Sequence, residues 1–130
     1  MLLDTYGLLC LLSRHEPHHV QSHSLYKAAV VRVTHNYVLA EFVALAATRG
    51  VTRIDNLRFV QKLTANPDIE TVWVDETLHQ AAFNLLRSRL DKTYSLCDAV
   101  SFVLMRQRGI MEALTNDKHF EQDGFVRLLK

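Results

Sequence analysis

Three stretches of the chain are apolar on nearly every helical face, and each carries a single acid and no base. They are Met1–Ser13 with Asp4, Asn36–Thr48 with Glu41, and Thr93–Met105 with Asp98. A helix that is apolar all round belongs in an interior. A lone carboxylate there must be paired, protonated or bound to a cation, because a bare buried charge costs several kcal/mol or more. Glu41 has no basic residue three or four positions away to serve as a helical partner. Three such acids, far apart in sequence, are compensated together if they converge on one divalent cation.

The remaining pattern alternates strands with helices. Met1–Asp4 reads as a strand and Thr5–Ser13 as a helix. Pro17 starts a helix to about Ala29, followed by a strand over Val30–Val33. The Glu41 helix ends near Gly50. Thr52 and Asp55 have capping-box spacing and open a helix through Leu63. A turn at Asn66–Asp68 precedes Ile69–Val74, which alternates as a strand does. Asp75 caps a helix over Glu76–Leu90, with Leu78, Ala82, Leu85 and Leu86 on one stripe. Ser95 caps the Asp98 helix, which ends at Gly109. Ile110–Thr115 is a strand, Asn116–Gln122 a loop and Phe125–Leu129 the last strand. This order predicts an α/β fold: a parallel sheet flanked by helices on both faces, in three layers. Ligands of such sheets bind at the carboxyl ends of the strands. Asp4 and Asp117 follow strands, and Glu41 and Asp98 lie in early turns of helices, so all four reach one edge.

Length and composition narrow the function. A chain of 130 residues makes one domain with a core. The formal charge of +1 excludes a global polyanion binder and leaves only local basic patches. No apolar run reaches membrane-spanning length, and the start lacks the basic leader of a signal peptide. The two cysteines, Cys10 and Cys97, sit in apolar segments as small buried hydrophobes, which fits a reducing, cytoplasmic setting.

Each candidate has a plainer reading. Asp4 can be an N-cap; Asp98 stands third after Ser95, as in a capping box; Asp117 or Asn116 can shape an Asx-turn. Apolar neighbours Phe102 and Met105 set Asp98 apart from Asp55, whose neighbours are polar. Tyr6 stands where a haloacid-dehalogenase-type phosphatase needs a second Asp, which excludes that class. A receiver domain with Asp75 as phosphoacceptor leaves Glu41 and Asp98 without a role. His19 and His23 have the spacing of zinc ligands, but no H-E-x-x-H pattern or nearby Cys accompanies them, so a solvated helix start is preferred. Trp73 is expected in core packing. Arg87, Arg89, Lys92 and Lys118 read singly as surface charges and together as the positive rim of an acidic cleft.

Taken in order, L-L-D-T at Leu2–Thr5, V-L-A-E at Val38–Glu41, S-L-C-D-A at Ser95–Ala99 and L-T-N-D-K-H-F at Leu114–Phe120 resemble the PIN domain. The likeness is greatest to the VapC-like ribonuclease toxins, and D-G-F-V-R-L-L at Asp123–Leu129 shares in it. The resemblance implies a metal-dependent endoribonuclease. It makes Asp4, Glu41, Asp98 and Asp117 the acids that hold Mg²⁺ or Mn²⁺, with Thr5 and Thr115 at neighbouring hydroxyl positions. It also implies an RNA substrate, a homodimer, and a small DNA-binding antitoxin whose tail covers the site; Arg89, Lys92 and Lys118 of the basic rim are then the candidates for RNA contact. Tyr6 departs from the small polar residue common at its position and bears on substrate choice. A non-catalytic PIN-like module that binds a metal or a partner is the alternative.

Overall fold

The computed structural model describes residues 1–130. Five parallel strands lie in the order β3-β2-β1-β4-β5. They are β1 (Leu2–Leu3), β2 (Val33–His35), β3 (Glu70–Val72), β4 (Glu112–Leu114) and β5 (Val126–Arg127). The helices are α1 (Thr5–Leu12), α2 (His19–Ala28), α3 (Asn36–Thr48), α4 (Arg53–Ala65), α5 (Glu76–Arg87), α6 (Leu96–Arg108) and α7 (Lys118–Gln122). The expected parallel three-layer α/β/α architecture is present.

Alternation along the short central strands splits the core in two. Leu3 of β1 and Leu114 of β4 pack with Leu8, Val38, Phe42 and Leu63 from α1, α3 and α4. Leu2 and Ala113 face the other way, onto Phe102 and Met105 of α6 and Phe120 of α7. The α5 stripe Leu78 and Ala82 covers Ala99 and Val100 of α6. Gly7 lets α1 lie directly on β4: a Cβ there would sit well inside contact distance of the Leu114 carbonyl oxygen.

Several boundaries differ from the sequence reading. The second strand is Val33–His35 rather than Val30–Val33. Val30 and Val31 are exposed, whereas polar Thr34 and His35 are buried in their place. Both are satisfied internally: Thr34 donates to the Leu3 carbonyl at 2.9 Å, and His35 Nε2 lies 2.8 Å from Ser101 Oγ. Trp73 is not core; β3 stops at Val72 at the sheet edge and Trp73 is 66% exposed. The stretch Asn116–Gln122 is not all loop, because Asp117 caps α7 by accepting from the His119 N–H at 2.9 Å. Asp75 is a cap as well, accepting from the Leu78 N–H at 2.8 Å.

His19 and His23, on the largely exposed start of α2, are half-buried and bonded to backbone carbonyls rather than simply solvated. His19 Nδ1 lies 2.7 Å from the Cys10 carbonyl oxygen and His23 Nε2 lies 2.9 Å from that of Leu11. The two rings tie α2 to the carboxyl end of α1, where the last carbonyls lack helical partners. Cys10 and Cys97 are buried free thiols, as expected.

Candidate active site

The strand order reverses at β1: β2 and β3 follow on one side, β4 and β5 on the other. In a parallel sheet this switch point opens a crevice at the carboxyl ends of the flanking strands. Asp4 follows β1 and Asp117 follows β4. Together with Thr5, Tyr6, Glu41, Leu45, Asp98, Asn116 and Lys118, they line one open cleft. All four expected acids are therefore brought together.

The acids sit in different environments. Asp4 is buried, and burial pushes its carboxyl up to about 7, against a hydrogen bond from Thr115 and with Asp98 and Glu41 adding repulsion. Thr115 Oγ1 donates to Asp4 Oδ2 at 2.8 Å and accepts from the Asp117 N–H at 3.1 Å, so it links the acids of two strand ends. Asp98 is also buried. Burial raises its pKa, opposed by the Ser95 N–H, with Asp117 contributing repulsion. Its capping box is complete: Ser95 Oγ accepts from the Asp98 N–H and Asp98 Oδ2 accepts from the Ser95 N–H, both at 3.0 Å. Cap and cleft acid are thus one residue.

Glu41 corrects the sequence reading. It is exposed, on an outer face of α3 shared with Ala40, Ala44 and Ala47. A helix that reads as apolar all round need not be buried all round when the residues on one face, here Ala40, Ala44 and Ala47, are alanines, whose small apolar area loses little by facing water. Glu41 accepts from Thr5 Oγ1 at 3.0 Å, a partner from α1 rather than from its own helix. Cys97 lies beneath; burial first, then Glu41, Asp4 and Asp98, hold its thiol protonated far above the usual range.

Of the expected rim cations only Lys118 lines the cleft. Arg89 is diverted to the buried carboxylate of Asp123 (Nε–Oδ1 3.1 Å), which Arg106 and Tyr94 also contact. Lys92 pairs with Asp91 at 3.2 Å.

His119 is the residue the sequence reading passed over. Its Nδ1 lies 3.1 Å from Asp98 Oδ2 and 3.3 Å from Asp117 Oδ1, and its Nε2 3.0 Å from Thr93 Oγ1. One atom from each of Asp98, Asp117 and His119 falls within 4.8 Å of the others, a spacing compatible with a metal centre. The signal was available in D-K-H, where an N-cap acid folds back onto the residue two positions on.

A parallel three-layer fold with clustered acids at its switch point defines a class of cation-binding α/β domains. The model of the PIN domain family matches residues 1–125, and the chain belongs to that family. It is 33% identical over 98 residues to the 23S rRNA-specific endonuclease VapC20 of Mycobacterium tuberculosis, covering 75% of this chain and 73% of that protein. The crystal structure of Mycobacterium tuberculosis VapC20, described as a sarcin-ricin loop cleaving toxin, superposes with a TM-score of 0.87 at 25% identity. That match covers 96% of this chain and 95% of the other.

Proposed function

We propose that this protein is a Mg²⁺- or Mn²⁺-dependent endoribonuclease acting as the toxin of a toxin–antitoxin pair. The observation that carries the reading is the convergence of Asp4, Glu41, Asp98 and Asp117 from four separate stretches on one open cleft at the switch point. The donor set fits a hard divalent cation. All four donors are carboxylates. Protein N–H groups engage Asp98 Oδ2 and Asp117 Oδ1 and leave Asp98 Oδ1 and Asp117 Oδ2 without a protein donor. A cation bound there supplies Lewis acidity, acidifying water and neutralising phosphate charge.

The chain's own groups have distinct tasks. Thr115 orients the Asp4 carboxylate and Thr5 that of Glu41. The backbone at Ser95 fixes Asp98. Lys118, exposed on the cleft wall, is placed to meet a phosphate of the entering strand. Arg89 and Lys92 have acidic partners and contribute less to RNA binding. The protein works as a cytoplasmic homodimer, and a small DNA-binding antitoxin silences it. Ribosomal RNA, the substrate class for which VapC20 is named, is the first target to try.

The test is cleavage of a panel of RNAs that includes a sarcin–ricin hairpin, with Mn²⁺ and with EDTA, by wild type and by Asp4→Asn. Cleavage by wild type with Mn²⁺ alone is expected. Full activity in EDTA, or in Asp4→Asn, defeats the mechanism. Mn²⁺ binding with no cleavage of any RNA favours a non-catalytic module.

A further inference from the structure

His119 has polar partners on both ring nitrogens, and their chemistry dictates which nitrogen holds the proton. Nδ1 faces two carboxylate oxygens; an ionised carboxylate can only accept, so Nδ1 carries the hydrogen. In the neutral ring Nε2 is then an acceptor, and the Thr93 hydroxyl at 3.0 Å donates to it. The ring is further set by Tyr94, edge-on with centroids 5.3 Å apart. A nitrogen that points its proton at the acids has no lone pair for a cation. The oxygens it touches, Asp98 Oδ2 and Asp117 Oδ1, are those already taken by the N–H groups of Ser95 and His119 itself.

We infer that His119 is a positioning residue for the cation site. Its Nδ1–H draws the Asp98 and Asp117 carboxylates together and keeps their other oxygens available, and Thr93 holds the ring in that tautomer. The inference rests on the reading of the cleft as a divalent-cation site. Partners that orient ligands in this way commonly contribute tenfold or more to metal affinity.

The experiment measures Mn²⁺ binding to the full chain by calorimetry, with metal-free melting as the control. His119→Ala should raise the Kd for Mn²⁺ about tenfold or more, with a metal-free Tm near that of wild type. His119→Asn puts an amide N–H where Nδ1 was and should recover most of the affinity. His119→Gln puts its amide at the Nε2 position and should not. Thr93→Val should weaken binding in the same direction, by less. The visible absorption of bound Co²⁺ should match between wild type and His119→Asn. A spectral change that marks loss of a nitrogen ligand would make His119 a ligand and overturn the inference. An unchanged Kd in His119→Ala overturns it while leaving the cation site standing. Absence of Mn²⁺ binding to wild type overturns the cation site, and this inference with it.

Discussion

Thr115 Oγ1 and Asp4 Oδ2 are joined by a 2.8 Å hydrogen bond that closes the cleft floor between β4 and β1. The bond spans 111 residues of sequence and is the largest single influence holding the Asp4 carboxyl down against burial. Thr115→Val keeps the shape and removes the donor. A hydrogen bond to a charged group contributes about 1.5–3 kcal/mol, so the variant should lose stability of that order at pH 8. The loss should shrink at pH 5, where Asp4 is protonated in the fold. Urea unfolding at the two pH values measures it; an equal loss at both would show that Thr115 acts only through packing or through the Asp117 N–H.

Gly7→Ala tests the other route by which β4 fixes α1. The added Cβ meets the Leu114 carbonyl, and backbone cannot swing aside as a side chain does. Overpacking of this kind costs about 1–3 kcal/mol, occasionally more. The melting temperature should therefore fall although alanine is the better helix former. A variant as stable as wild type would mean that α1 shifts outward at little cost, and its Mn²⁺ affinity would then report whether Asp4 moved with it.

The sequence made the acids legible because chemistry of this kind leaves unpaired charge in apolar runs, as at Asp4 and Asp98. It misled at Glu41, where alanines look like core in a hydropathy pattern yet face water. The second strand was misplaced because Val30–Val31 looks more strand-like than Thr34–His35. What decides the strand is the tertiary satisfaction of Thr34 by Leu3 and of His35 by Ser101, which no local pattern carries. Arg89 and His119 illustrate the same limit. Asp123 takes Arg89 away from the cleft, and a short helix capped by Asp117 brings His119 into it.

Asp98→Asn separates the two roles of one residue. The amide oxygen can still accept from the Ser95 N–H, so the capping box survives, and one buried negative charge is gone from a cluster of acids. Metal-free protein should melt no lower than wild type at pH 8. Mn²⁺ binding to the folded state alone stabilises by mass action, and in wild type the rise should be larger at pH 8 than at pH 5, because protonated acids are poor ligands. The variant should lose the rise. An undiminished Mn²⁺ response would return Asp98 to capping alone.

Asp4 and His35 give the metal-free fold opposite pH dependences over one window. The unfolded Asp4 carboxyl ionises near 3.8 and the folded one near 7, so the stability associated with it is complete below 3.8 and is lost as the pH rises to 7. His35 is fully buried; desolvation pushes its imidazole from 6.5 down to about 4. Nδ1 accepts from the Val38 N–H, so Nε2 carries the proton shared with Ser101, and a second proton has no place. The unfolded chain takes up that proton below 6.5. Stability associated with His35 is therefore complete above 6.5 and is lost as the pH falls towards 4. The two effects are on the order of 4 and 3 kcal/mol, and in wild type they largely offset each other. Asp4→Asn should melt higher than wild type at pH 8 in EDTA, converge with it near pH 4.5, and lose stability steeply on acidification. His35→Gln should do the reverse and gain relative to wild type as the pH falls. Melting curves in EDTA between pH 4.5 and 8 decide it; variant and wild-type profiles that run parallel would show that neither group titrates differently on folding.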